Sequence, residues 1–265
     1  MTTLVTAPVP TSRDGRTAVD KALSLLLSFG LEGCEGLGVS ELARRADMSK
    51  STAFRLLGML QRNGVVERIG SSYRLGGQLH DLGQQVYTPQ HGRIRDIATP
   101  FLIELYELTH QTAHLAVLHG ADVLYLSKLY GPRTVSPPSR VGGRAPAHCT
   151  AGGKILLAYG DETSVYDRPL VRRTPRSIAD PVLLRRHLAA VREQGVAFDD
   201  EEARPGLRCV AAPIFTSPGQ PAAALSVCAP ASRFDAPAHT AAVRRIAHSI
   251  SRALAAQLPR RRRVA

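Results

Sequence analysis

Several features that mark membrane, secreted or metal-binding proteins are missing from this chain of 265 residues. No apolar run approaches the roughly 20 residues of a membrane-spanning helix. The N-terminus lacks the charged-then-apolar order of a secretion signal, and residues 1–15 are expected to form a disordered leader. The cysteines contain no C-x-x-C pair, which excludes a disulfide framework and favours a reducing cytoplasm; they are Cys34, Cys149, Cys209 and Cys228.

Sequence motifs of common enzymes are missing as well. The chain has no G-x-S-x-G elbow and no phosphate-binding glycine loop. His148 beside Cys149, with Asp199 distant, is the one arrangement that suggests a hydrolase. Adjacent residues of an extended segment point to opposite faces, which is wrong for a base and its nucleophile. We therefore predict no enzyme and no cofactor. A zinc-binding regulator is a further alternative, but the cysteines are too widely spaced for a zinc site.

The charge of the chain is strongly positive but unevenly placed. The formal net charge is +12. The length of 265 residues fits one large or two ordinary domains, and an apolar content of 44% is enough for hydrophobic cores. Residues 1–76 carry ten Lys or Arg against seven Asp or Glu, a net of only +3. Four of the remaining positive charges lie in a basic tail, residues 259–265. Such a tail is typical of a solvated end, and it can also add sequence-independent contacts to phosphates.

Residues 39–63, VSELARRADMSKSTAFRLLGMLQRN, predict two short helices joined by a tight turn. Ser40 is expected to cap the first helix and Ser49 the second, and Asp47 falls where the turn needs a left-handed residue. Apolar residues recur at helical spacing on both: Leu42, Ala43 and Ala46, then Ala53, Leu56, Leu57 and Leu60. An ordinary helical hairpin with a solvated polar face would show the same stripe.

The polar face of the second helix and the segment that follows favour DNA binding. Lys50, Ser51, Thr52 and Arg62 suit phosphates, and Arg55 is placed to reach a base edge. GVVERI, a GSS turn and YRL then predict the two-stranded wing of a winged helix. The candidate contacts to double-stranded operator DNA are Ser40, Ser49, Lys50, Ser51, Thr52, Arg55, Arg68, Ser72, Tyr73 and Arg74. One recognition helix reads few base pairs, so we expect a dimer or tetramer.

The remaining periodicity predicts an α+β chain. A helix over residues 17–29 is expected to bury Val19, Ala22, Leu23, Leu26 and Leu27. A linker helix falls within residues 77–90, after a DNA-binding domain at residues 16–76. Residues 91–258 then form a second domain with an antiparallel sheet. Its expected helices cover residues 94–109, a segment from about Lys154, residues 182–194 and residues 237–258. Pro100 is expected in the opening turn of the first of these helices, or between it and a short preceding helix, and the third is expected to bury Leu183, Leu184, Leu188 and Val191. The expected strands are 112–119, 123–129, 208–215 and 222–229.

Taken together, these segments resemble an IclR-family transcriptional regulator from residue 17 to about residue 258. The motifs that carry the resemblance are SKSTAFRLLGML, GVVER…YRLG, APAHCTAGGKILLA, REQGVAFDDEEARPGLRCVAAPIF and AALSVCAP. The resemblance implies an N-terminal winged helix-turn-helix, a linker helix and a C-terminal GAF-like effector domain with a central antiparallel sheet. It also implies a dimer or tetramer that binds an operator and responds to a small organic acid. We predict that this regulator is a repressor.

Residues 150–153 are the predicted start of a ligand site. Small residues before a helix leave N–H groups bare for a carboxylate, although a tight packing loop would look the same. The resemblance implies donors at Ala151 and Gly152, and a pocket completed by Asp199, Cys209, Ser226 and Cys228, with Leu207 as apolar wall. Cys228 stands where the family usually has Ser, and Ala145 where a larger residue is common, which favours an acid larger than glyoxylate. Two buried free thiols, and a regulator without an effector, remain the alternatives.

Overall fold

The computed structural model describes residues 15–30, 36–84, 87–131, 139–217 and 219–257. The predicted leader (apart from residue 15), the basic tail and Cys34 lie outside this part of the chain. The chain divides into two compact units, Met1–Tyr87 and Thr88–Ala265. None of the helices in the described ranges combines the length and the apolar character needed to cross a bilayer.

The first unit is a small helical domain with a three-stranded sheet. Its elements, in chain order, are α1 (Ala18–Leu27), β1 (Leu37–Gly38), α2 (Val39–Arg45), α3 (Lys50–Arg62), β2 (Val66–Ile69), β3 (Ser72–Leu75) and α4 (Gly77–Gln84). The sheet has the order β1-β3-β2, and both pairings are antiparallel. The predicted linker helix thus corresponds to α4 among the described residues, and β2 and β3 form the predicted wing.

The helix-turn-helix forms largely as its residues predict. The Ser49 side chain accepts a hydrogen bond from the Thr52 N–H and caps α3. Asp47 adopts a left-handed conformation with φ of 50°, as the turn requires. The prediction that Ser40 caps α2 is wrong, because the cap position is Gly38 and Ser40 lies inside the helix. Ser40 is nevertheless exposed.

The prediction for the buried face of α1 is also wrong in part. Leu25 and Phe29 are fully buried, whereas Val19, Leu23 and Leu27 are exposed, Leu27 by 82%. Apolar residues occupy more than one side of α1, so periodicity alone could not select the face that packs. The packed face meets the core formed by α2, α3 and the wing.

The second unit contains a six-stranded antiparallel sheet of order β6-β5-β4-β9-β8-β7. Its elements are α5 (Pro89–Thr109), β4 (Thr112–His119), β5 (Asp122–Leu129), β6 (Arg144–Pro146), α6 (Ala151–Tyr159), α7 (Pro181–Gln194), β7 (Ala197–Asp200), β8 (Leu207–Ser217), β9 (Gln220–Pro230) and α8 (Ala236–Gln257). Helices α6 and α7 cover one face of the sheet, and α5 and α8 pack on the other. The strands alternate accordingly: Cys209 and Ala211 face α6, while Val210 and Ala212 face away.

Helix α5 differs most from its prediction. It begins at Pro89, capped by the Thr88 side chain, so the boundary between the units precedes it and residues 90–92 are helical. Pro100 lies inside the continuous helix rather than in an opening turn or between two helices. Proline removes a helical hydrogen bond, but Pro100 and Asp96, which would have accepted that bond, are both exposed.

Two smaller corrections concern α6 and α7. Residues 151–153 belong to the first turn of α6 and are not a loop before it, because the helix starts at Ala151 with Thr150 as its cap. Leu183 is exposed in the first turn of α7, while the other three residues predicted to face inward are buried: Leu184, Leu188 and Val191.

Candidate DNA-binding face and effector cavity

Helix α3 presents an exposed polar face suited to a DNA groove. Lys50, Ser51 and Arg55 are exposed there, and Thr52 is half-buried. Arg55 makes no hydrogen bond or ion pair with the described residues, so its guanidinium is available for a base edge. By contrast, the exposed Arg44 of α2 is already paired with Glu41.

The wing supplies fewer of the predicted DNA contacts than expected. Tyr73 is only 3% exposed and packs in the core of the first unit, so the prediction that it contacts DNA is wrong for the wing in this structure. Arg74 is exposed but forms an ion pair with Glu67 across the hairpin, at 2.7 Å. Arg68 is exposed, with its guanidinium 6.0 Å from the Tyr73 ring, and Ser72 is half-buried.

Sequence reasoning missed Phe54 on the same face of α3. Its side chain is 55% exposed and lies one turn after Lys50 and Ser51. An exposed aromatic ring on a recognition helix can contact a thymine methyl group. The sequence does indicate that Phe54 is exposed, because this residue lies outside the apolar stripe of α3.

A cavity of about 270 Å³ lies between the sheet and the start of α6 in the second unit. All of the predicted ligand residues line it, although they come from distant segments: Ala145, Ala151, Gly152, Asp199, Leu207, Cys209, Ser226 and Cys228. The register of the strands explains how Asp199, Cys209 and Cys228 come together. Asp199 lies opposite Cys209, and Cys209 lies opposite Cys228. Ser226 and Cys228, two residues apart on β9, point to the same face.

The N-terminus of α6 supplies two backbone donors to the cavity wall. The Gly153 N–H is bonded to the Thr150 hydroxyl and the Lys154 N–H to the Thr150 carbonyl. The N–H groups of Ala151 and Gly152 have no partner among the described residues. They lie where the helix dipole adds partial positive charge, which suits an anionic oxygen.

Asp199 is a buried carboxyl group at the opposite wall. Its Oδ1 accepts hydrogen bonds from the Glu202 N–H at 2.7 Å and the Ala203 N–H at 3.2 Å. Burial nevertheless raises the pKa of Asp199 to about 7, outweighing those two bonds. Near neutral pH the group can therefore donate or accept a hydrogen bond.

Three arginines at the rim of the cavity were missed by sequence reasoning. Arg140, Arg144 and Arg173 line the cavity and are exposed, and Arg144 contacts the His119 ring at 3.2 Å. None of the three forms an ion pair with a described residue. Because they lie in connecting segments or at a strand end, nothing in the periodicity identified them. Their charges favour the entry of an anion.

His148 and Cys149 lack the arrangement of a hydrolase. They lie in a single 3-10 turn rather than in the extended segment assumed from the sequence. The His148 ring bonds the Val171 carbonyl oxygen, and burial lowers its pKa. Burial raises the pKa of Cys149 to about 12, so its thiol is not a nucleophile at neutral pH. No cluster of three or more metal-ligating side chains occurs in the described ranges.

Comparison with known families agrees with this architecture. Residues 18–70 match the IclR helix-turn-helix domain, and residues 87–252 match the bacterial transcriptional regulator IclR C-terminal domain. The chain belongs to the IclR family of transcriptional regulators. As in other IclR-family proteins, a DNA-binding domain precedes an effector-binding domain, and the protein is a DNA-binding transcriptional regulator with a small-molecule effector.

Individual IclR relatives match most of the chain. It is 35% identical to the HTH-type transcriptional regulator XynR of Escherichia coli, over 82% of this chain and 88% of XynR. It is 30% identical to the transcriptional repressor IclR of the same organism, over 86% and 89% of the two chains. The crystal structure of an IclR homologue from Microbacterium hydrocarbonoxydans, complexed with 4-hydroxybenzoate, matches with a TM-score of 0.74 and 30% identity, over 91% of this chain and 100% of the homologue.

Proposed function

We propose that this protein is a repressor whose affinity for its operator is controlled by a small organic acid bound in the cavity of the second unit. The observation that carries the proposal is the cavity itself. It combines two bare N–H groups at a helix N-terminus with a buried carboxyl group and a rim of arginines. The winged helix supplies the DNA-reading face.

The proposed effector places its carboxylate on the N–H groups of Ala151 and Gly152. Its polar substituent then lies near Asp199, which accepts a hydrogen bond when ionised and donates one when protonated. The Cys228 thiol, in its protonated form, is less polar than a hydroxyl, and the small Ala145 leaves this wall less bulky than a larger side chain would. A cavity of about 270 Å³ is slightly smaller than most small-molecule sites, which suits a compact acid, including an aromatic one. The solved relative with 4-hydroxybenzoate is consistent with that choice.

We also propose that the protein acts as a dimer or tetramer on a pseudo-palindromic site. One recognition helix reads few base pairs, and two-fold symmetry aligns two half-sites. The exposed residues Val19, Leu23 and Leu27 form an apolar stripe along α1 that suits contact with a second copy. Light scattering on the DNA complex measures the stoichiometry, and one monomer per operator would contradict this assignment.

Two substitutions at Gly152 test the effector site. A methyl group on Gly152 would meet the Ala224 side chain at 3.6 Å, an ordinary contact, so Gly152→Ala keeps the N–H and is sterically tolerated. Gly152→Pro removes the N–H. We expect calorimetric titration of the full chain with aromatic and aliphatic acids to show acid binding to wild type and Gly152→Ala, and about 10–100-fold weaker binding to Gly152→Pro.

The same variants test control of DNA binding. Ligand-free Gly152→Pro should bind an operator obtained by in vitro selection as tightly as wild type, and acid should no longer release it. Equal affinity of Gly152→Pro and Gly152→Ala for an acid that releases the operator would place the effector elsewhere.

A further inference from the structure

Two cysteines face each other across neighbouring strands in the wall of the effector cavity. Cys209 of β8 and Cys228 of β9 are direct partners in the antiparallel register, and their Sγ atoms are in contact at 2.6 Å. Directly opposed residues of antiparallel strands hold their Cα atoms about 4.5–5.5 Å apart. A disulfide requires a Cα separation of about 4.4–6.8 Å. The backbone of the sheet therefore already has the spacing that a disulfide needs.

The two thiols differ in their surroundings. Cys228 Sγ lies 3.8 Å from His114 Nδ1, and the positive charge of Lys128 acts on it as well. The hydrogen bond from Cys209, together with His114 and Lys128, lowers the pKa of Cys228 below its ordinary value despite burial. The same hydrogen bond and burial raise the pKa of Cys209. Cys228 is therefore the more readily ionised of the two thiols, which is the usual relation of an attacking to a resolving cysteine.

The cavity gives small molecules a route to this pair. Both cysteines line it, and the exposed arginines at its rim line it too. Cys149 is a natural comparison, because it is also buried but does not line the cavity and makes its one sulfur hydrogen bond to the Pro146 carbonyl oxygen. It has no second cysteine beside it among the described residues.

We propose that Cys209 and Cys228 form a reversible disulfide when hydrogen peroxide enters the cavity. The Cys228 thiolate attacks one peroxide oxygen, the O–O bond breaks, and the departing hydroxide takes a proton to give water and a Cys228 sulfenic acid. The Cys209 sulfur then attacks the Cys228 sulfur, an S–S bond forms, and the hydroxyl group leaves with the Cys209 proton as a second water. The two thiols together lose two electrons to the peroxide, and a dithiol reductant restores them.

The disulfide would change the effector site directly. It removes two thiol groups from the cavity wall and ties β8 to β9 beside Asp199. We expect the oxidised protein to bind the acid more weakly, and the bound acid to shield the thiols from peroxide. This consequence rests on the proposed effector function, whereas disulfide formation does not.

Peroxide oxidation of the reduced full-length protein tests the proposal. After quenching, free thiols are alkylated under denaturing conditions and mapped by mass spectrometry. Of the four cysteines, Cys209 and Cys228 should become protected together, joined in one cross-linked peptide pair, and dithiothreitol should reverse the change. Cys209→Ser should stop at a sulfenic acid on Cys228 that dimedone captures. In Cys228→Ser, peroxide should oxidise Cys209 at least about tenfold more slowly than it oxidises Cys228 in the wild type.

The matched control is Cys149→Ser, which should form the disulfide at the wild-type rate. Circular dichroism and cooperative urea unfolding of each variant show that it is folded. A cross-link of Cys34 or Cys149 in place of this pair, or four thiols oxidised at one common rate, would overturn the proposal. If the disulfide forms but no acid binds either redox state, the effector function fails and the redox pair stands.

Discussion

Lys154 and Glu202 form an ion pair in the interior of the second unit, with the Lys154 side chain fully buried and the Glu202 side chain 8% exposed. The pair joins α6 to the turn after β7, and that turn also supplies the N–H group bonded to Asp199. An ion pair buried to this degree is stable only as a pair, because removing one partner leaves an uncompensated charge. This contact between residues 48 positions apart therefore stabilises the position of α6 relative to the turn that holds Asp199.

We predict that Lys154→Met destabilises the protein by about 3–5 kcal/mol, since Glu202 would remain charged and buried. The double variant Lys154→Met/Glu202→Leu should recover most of that loss, because neither charge is then present. Urea unfolding of the full chain, followed by circular dichroism, measures both. A double variant no more stable than Lys154→Met would show that the cost lies in packing and not in charge.

Asp199 gives a prediction for the pH dependence of stability. Its pKa rises from the ordinary value of 3.8 to about 7 on folding, so the folded state holds a proton that the unfolded state has released. The resulting stability is fully present below about pH 4 and is lost as the pH rises to about 7. Asp199→Asn keeps the acceptor oxygen but cannot ionise.

The Asn variant should therefore gain stability relative to the wild type between about pH 4 and 7, by on the order of 3 kcal/mol. Urea unfolding at several pH values measures the difference. The control is Asp199→Leu, which loses the acceptor and should be destabilised even at pH 4. A constant difference between wild type and Asp199→Asn across this range would show that Asp199 is ionised throughout.

The DNA-reading face gives a third prediction. Arg55→Ala should weaken binding to the selected operator by about 1–3 kcal/mol and relax sequence preference. Arg74→Ala should weaken binding to all sequences about equally and reduce the salt dependence, because Arg74 would contact phosphate and has Glu67 as a competing partner. Tyr73→Phe should leave affinity unchanged, since the ring is buried.

Fluorescence anisotropy with operator and scrambled DNA at several salt concentrations separates these effects. Normal operator binding by Arg55→Ala would show that another face of α3 reads the DNA. A loss in Tyr73→Phe would mean that the wing rearranges on DNA and exposes this residue.

The sequence predicted local structure better than it predicted long-range packing. Ser49, Asp47 and the wing hairpin follow from the chemistry of a cap, a left-handed turn and a short reversal, each set by neighbouring residues. The buried face of α1 does not, because leucines on several sides of the helix leave the choice to tertiary packing. The Lys154–Glu202 pair was also out of reach, since a lysine in an apolar helix does not reveal a partner 48 positions later.

In the effector site, too, the sequence predicted some features and missed others. Its residues were found through the resemblance to a family, and strand register then explains why they meet. The start of α6 was placed three residues late, because two consecutive glycines are poor helix formers and only the Thr150 cap shows that they begin the helix. The rim arginines carried no periodic signal at all.

The hydrogen bonds that Asp199 receives have a consequence for ligand recognition. Because Oδ1 is held by two backbone N–H groups of the adjoining turn, the orientation of the carboxyl group is set by the protein itself. A ligand that meets this group does not have to freeze its rotation, so little conformational entropy is lost at that contact on binding. This wall of the cavity is preorganised, and differences in affinity among acids should reflect how well each ligand's own geometry matches it.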